Sequence, residues 1–236
     1  MALPKLEQPT FTLTLPSNKK QIRFRSFTVK EEKLLLIAQA SGEREDYINV
    51  FKQLITNCCV DPIDVDSLAS YDIEYFFLNL RAKSVSNVIK LKITDDYEKE
   101  VEVDVKLDDV KVHESTVSNK ILLDPVKNIG VKLKYPTFSE IAKLARREDG
   151  AVELDDGLDL FISLIDLIWE GDNVHIAKES TDAELKAWIE DFNGEQVKMV
   201  EAFLEDLPFV YLDVHYMDSK GEKKTRRITG IDSFFA

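Results

Sequence analysis

The chain has 236 residues, with 31 Lys and Arg against 44 Asp and Glu, a formal net charge of −13 and a pI of about 4.8. At 44% hydrophobic and 32% charged residues it is too apolar for intrinsic disorder. No apolar run approaches the ~20 residues of a membrane helix, and the start MALPKLEQPTF lacks the apolar core of a signal peptide. The expectation is a folded, soluble protein that meets no membrane.

Charge is unevenly spread. Residues 1–30 carry six basic and one acidic side chain, whereas residues 148–213 carry three basic and nineteen acidic, a net of −16. The last stretch, 214–236, is basic again at +2. An acidic C-terminal half between basic ends argues against nucleic acid as the partner of the whole protein. Cys58 and Cys59 are neighbours, which strains a disulfide between them and leaves no second pair for a thiolate zinc site. A reducing cytoplasm fits that usage.

In chain order, Phe11, Leu13 and Leu15 alternate with threonines, a Pro16–Lys19 turn follows, and Ile22 and Phe24 alternate with Arg23 and Arg25, which predicts a β-hairpin. Thr28 stands three residues before Glu31, the spacing of a capping box, and predicts a helix over 29–40. Helical periodicity recurs over 46–59, ended by Asp61-Pro62, and over 71–85. The period then changes to two, predicting a second hairpin over 88–107. Residues 118–129 read as irregular, 130–135 as a basic strand and 138–147 as a helix. The run IRFRSFTVKEEKLLLIA (22–38) is echoed by VKLKYPTFSEIAKLA (131–145), suggesting two related strand–helix modules.

Leu158–Trp169 has nine apolar residues in twelve and reads as a buried helix with a narrow polar edge at Asp159, Ser163 and Asp166. Helices follow from Ser180 or Thr181 through Phe192 and over 197–207, then a strand over 209–216, a turn at Gly221 and a basic strand over 223–229. The predicted class is α+β, with helices packed on several short antiparallel hairpins. The predicted division is 1–86 (hairpin plus three helices), 87–129 (a hairpin insert and linker) and 130–236 (strand, acidic helices and closing hairpin).

Chemistry is sparse. There is no phosphate loop, nucleophile elbow, HExxH or Cys-x-x-Cys, and the three histidines, His113, His175 and His215, stand apart. Adjacent aspartates such as Asp95-Asp96 and Asp155-Asp156 read as solvated turns in so acidic a chain. No catalytic, cofactor or metal site is expected. The basic hairpins read as edges protected from aggregation, or as faces that meet the acidic half of another copy in self-association. The residues expected to bind protein are Phe161, Ile165, Trp169 and Trp188 on the apolar helices, and Phe234 and Phe235 at the end of the chain.

The blocks at 3–39, YDIEYFFLNLRAKSV (71–85) and VKLKYPTFSEI (131–141) resemble the baseplate hub assembly proteins of T4-type tailed bacteriophages in order and spacing. FRSFTVKEEKLLL (24–36) is the most specific of them. The hairpin 88–107 lacks the paired cysteines that members often carry there, so no zinc site follows. The resemblance implies a non-enzymatic protein that helps build the central hub of the tail baseplate in the host cell cytoplasm, with other hub or tape-measure proteins as partners. It leaves open a chaperone-like factor that departs and a permanent structural subunit of the virion baseplate.

Overall fold

The structure is a computed structural model that describes residues 6–41, 44–144 and 154–234. Its elements in chain order are β1 (Thr10–Thr14), β2 (Gln21–Arg25), α1 (Val29–Ser41), α2 (Arg44–Cys58), α3 (Ser70–Ser84), β3 (Val88–Thr94), β4 (Glu100–Lys106), β5 (Lys111–His113), β6 (Lys120–Asp124), β7 (Ile129–Leu133), α4 (Phe138–Leu144), α5 (Leu154–Leu164), β8 (Ile165–Glu170), β9 (Asn173–Ile176), α6 (Asp182–Glu190), α7 (Gly194–Glu205), β10 (Phe209–Met217) and β11 (Lys223–Thr229). Helices and small antiparallel sheets alternate along the chain, an α+β fold as the periodicities predict. The chain forms two compact units, Met1–His113 with Phe209–Ala236, and Glu114–Pro208.

In the first unit, β1 and β2 pair antiparallel from Thr10↔Arg25 to Thr14↔Gln21. Alternation sends Leu13, Ile22 and Phe24 inward and leaves Thr12 and Arg23 outward. Phe24 packs at a tilt against Phe76 of α3 at 5.2 Å, and Phe51 of α2 meets Phe77 edge-on at 4.6 Å. These four rings are buried and anchor the core. Asp72 of α3 accepts from the Ser17 amide at 2.9 Å and from its hydroxyl, tying the hairpin turn to the helix. β3 and β4 form a hairpin from Val88↔Lys106 to Thr94↔Glu100. The carboxylate of Asp95 accepts from the amides of Tyr97 and Lys99 in its own turn and of Ser219 in the β10–β11 turn, each at 2.9 Å. The Ser219 contact leads in holding that carboxyl well below the usual range. β10 lies between β11 and β5, with Phe209 opposite His113.

In the second unit a four-stranded antiparallel sheet, ordered β6-β7-β8-β9, packs one face on the helices. Ile121, Leu123, Val131, Leu133 and Ile165 of the sheet meet Phe161, Leu185, Val200 and Phe203. α6 and α7 each begin with a reciprocal capping box, Thr181 with Glu184 and Asn193 with Gln196. Asp206 closes the unit by accepting from the Thr116 amide at 2.6 Å and the Val117 amide at 3.2 Å, which joins its first residues to its last.

Two expectations are corrected. The apolar run Leu158–Trp169 is not one helix: α5 ends at Leu164, and Ile165–Glu170 is a strand paired to β7. Apolar density alone cannot separate a buried helix from a buried strand, and Ile165, Ile168 and Trp169 are strand formers. Residues 118–129 are not irregular either, since β6 pairs with β7 around a turn at 125–128. The helix expected over 138–147 runs as α4 to Leu144, and residues 145–147 lie outside the described residues.

The strand–helix echo has a structural counterpart. In the first unit Glu31 accepts from the Thr28 amide at 2.8 Å and from Arg25 at 2.9 Å; in the second, Glu140 accepts from the Thr137 amide at 2.7 Å and from Lys134 at 3.4 Å. Basic residue, threonine and glutamate stand at the same spacing of three and three in both. After α2, Cys59 bridges Phe24 and the Val60 amide donates to the Arg23 carbonyl; after α5, β8 runs antiparallel to β7. A turn of 3-10 helix and a further helix follow in each, Val65–Ser67 then α3, and Ala177–Glu179 then α6.

Candidate docking face

The four-stranded sheet of the second unit has one covered face and one bare face. Pairing places Leu122 opposite Gly130, Gly130 opposite Trp169, and Trp169 opposite Val174, while Lys132 stands opposite Leu167 and Leu167 opposite Ile176. Cross-strand partners share a face, so Leu122, Gly130, Leu167, Trp169, Val174 and Ile176 all turn away from the core. Val174 is 59% exposed, Ile176 47% and Leu122 44%, and Leu167 and Trp169 are half-buried. Lys132 forms a salt bridge with Asp166 at 2.5 Å.

Gly130 makes room for the tryptophan. A Cβ at this position would lie 2.0 Å from Cζ2 of Trp169 and 2.6 Å from the Ile121 carbonyl oxygen, so the indole approaches the strand this closely only because residue 130 has no side chain. The large aromatic is held against the sheet beside exposed valine and isoleucine, which makes this face a candidate for burial against a partner.

The expected binding residues divide between surface and core. Phe161 and Ile165 are 4% exposed and belong to the core cluster of the second unit. Trp188 is half-buried, packs edge-on against Phe192 at 4.8 Å, and lines a cleft of about 350 Å³ with Ile129, Ile168, His175 and Glu184. Trp169 alone of these stands on the bare face. Phe234 is buried in the first unit, its carbonyl accepting from Arg81 at 3.0 Å, and Phe235 lies outside the described residues. The sequence reading passed over Leu122, Leu167, Val174 and Ile176. The alternation of Leu167, Trp169, Val174 and Ile176 about Gly171 was the signal that could have found them.

No hydrogen-bonded set of reactive groups forms among the described residues. His113 stacks on Phe209 at 4.9 Å, and His215 shares a hydrogen bond with Thr225 at 2.8 Å. Ser180, His175 and Glu184 line the same cleft, but the Glu184 carboxylate accepts from the Thr181 amide and hydroxyl, and no hydrogen bond joins the three. Burial pushes the Cys58 thiol up to about 11 and the Cys59 thiol up to about 12, far from the thiolate a nucleophile or metal ligand needs. Among the described residues no cluster of His, Cys, Asp and Glu could hold a metal ion, and no helix is long and apolar enough to cross a membrane.

No curated protein and no solved structure matches the chain. Residues 8–236, both units and nearly the whole length, match the family described as T4 bacteriophage base plate protein. Because that pattern runs through both of its units, the chain belongs to the T4 bacteriophage base plate protein family.

Proposed function

We propose that the protein is a tail assembly factor that promotes formation of the baseplate central hub by binding hub or tape-measure proteins in the host cytoplasm, without catalysing a reaction. The observation that carries this reading is the bare sheet face of the second unit, where Trp169, Val174 and Ile176 are displayed although the core beneath them is complete. An apolar face of this kind gains its free energy from burial against a partner, at about 25 cal/mol for each Å² covered. Charge adds direction. The second unit holds 10 Lys and Arg against 21 Asp and Glu, a net of −11, whereas the rest of the chain carries 21 against 23, a net of −2. An acidic field around an apolar patch attracts basic clients over wrong ones.

The test is co-expression of the full chain with the hub and tape-measure proteins of the same phage, followed by pull-down at low and high salt. Recovery of one of them, weaker at high salt, is the expected result; recovery of neither at either salt would retire the proposal. Protein composition of purified particles then separates a departing factor, absent or far below stoichiometry, from a permanent subunit.

A further inference from the structure

The two units offer an internal comparison. In the first, the strand that follows the second helix is cut short: after the Cys59 bridge, Asp61 turns back to accept from the Arg23 amide at 2.8 Å and Pro62 ends the pairing. In the second, the corresponding strand continues as β8, turns at Gly171 and adds β9. The outward side chains differ in the same way. Where β1 and β2 present Thr12, Thr14, Gln21 and Arg23, the sheet of the second unit presents Leu122, Leu167 and Trp169 beside Lys120 and Lys132. β8 serves the core of the second unit through Ile165 and Ile168. The first unit, however, folds with a polar outer face and no counterpart of β9, whose four residues are all exposed. Neither the apolar outer face nor β9 is therefore required by the shared strand–helix pattern.

The extension also ends in an open edge. Every backbone group of β9 on the side away from β8 lacks a strand partner among the described residues, and all four residues, Asn173–Ile176, are exposed. Sheet edges are ordinarily blunted with charge. β11 carries four Lys and Arg, β5 has Lys111, and β6 has Lys120 and Asp124. Only β1 and β9 have no charged residue, and β1 turns threonines outward where β9 turns Val174 and Ile176. Around the edge, residues 166–184 hold six Asp and Glu against one Lys. A second copy would bring the same negative charge against itself, while a cationic strand would be drawn in.

Building on the assembly reading above, we propose that β9 is a strand-addition site. An extended segment of another baseplate component, apolar on one side and bearing Lys or Arg, pairs along the free edge of β9 and covers Trp169, Val174 and Ile176. Main-chain hydrogen bonds supply the affinity, and the Trp169 face selects the side chains.

The experiment uses the full chain co-expressed with the hub and tape-measure proteins, in two forms. One carries V174K and I176K, which place lysines on an exposed edge and leave the core untouched, with folding checked by thermal melting. The other carries the photo-crosslinker p-benzoylphenylalanine in place of Val174, with the crosslinked peptide identified by mass spectrometry. Capture falling by about tenfold or more in the double variant, with a crosslink to a basic, apolar-alternating segment of the captured protein, is the expected result. Undiminished capture by the folded double variant, or a crosslink to a second copy or to an acidic segment, overturns the site or its occupant while the assembly role stands. If the unsubstituted chain captures neither protein, the assembly reading fails and this inference fails with it.

Discussion

Glu31 and Glu140 occupy equivalent places yet should differ in weight. Burial works to raise the Glu31 carboxyl, but the Arg25 guanidinium and the Thr28 hydroxyl and amide prevail and bring it down to about 2. Its usual value is about 4.5, so the stabilisation is complete above that pH and disappears as the pH falls through about 2. Glu31→Gln should cost about 2–3 kcal/mol at pH 7, and the gap between variant and parent in urea midpoint should close between pH 4.5 and 2. Glu140→Gln should cost about 1 kcal/mol, because Lys134 is farther away at 3.4 Å and more exposed. Both caps were legible in the sequence, since Thr-x-x-Glu before an apolar run specifies its own hydrogen bonds. The role of Gly130 was not, because nothing local reveals that Trp169, thirty-nine residues on, will lie against it. Gly130→Ala should lower stability by about 1–3 kcal/mol and shift the tryptophan emission to the red as the indole is pushed off the strand; an unchanged spectrum would show the ring is not seated there.

Among elements, strands with strict alternation were readable and the α5–β8 junction was not. The hairpins of the first unit alternate cleanly because one side faces a core and the other water. The run through Leu158–Trp169 switches from helix to strand at Leu164–Ile165 inside an unbroken apolar stretch, and the change is imposed from outside: the Lys134 amide donates to the Leu164 carbonyl at 2.8 Å, and β7 captures the residues that follow. Tertiary pairing, not propensity, sets that boundary. The β8–β9 turn depends on Gly171, which sits at φ +59 with no atom within 4 Å of where a Cβ would be, and its amide donates to the Asn128 carbonyl at 3.0 Å. Gly171→Ala should therefore cost about 1 kcal/mol from backbone strain alone, measured by urea denaturation, and should leave the Trp169 emission where it was. That contrast with Gly130→Ala separates strain in the hairpin from displacement of the ring.

Across the whole molecule, the chain enters the second unit from β5 and leaves it into β10, and those two strands are paired neighbours with His113 opposite Phe209. The second unit is thus inserted between the arms of an antiparallel pair that a short turn could close. The sequence offered no sign of this, because β5 is three residues long and its partner lies almost a hundred residues away. Each unit has what an independent fold requires. The first buries Phe24, Phe51, Phe76 and Phe77 together; the second has its own cluster around Val131, Phe161 and Phe203, and Asp206 joins its entry to its exit through Thr116 and Val117. Replacing Glu114–Pro208 by an Asn-Gly turn should convert β5 and β10 into a hairpin and leave the first unit folded, with a single cooperative thermal transition. Residues 114–208 expressed alone should also melt cooperatively, and should keep any baseplate partner that binds through β9, while the shortened chain loses it. Asp206→Ala in the isolated second unit should cost about 2 kcal/mol by releasing its two ends; a larger effect in the full chain than in the isolated unit would contradict the independence of the two folds.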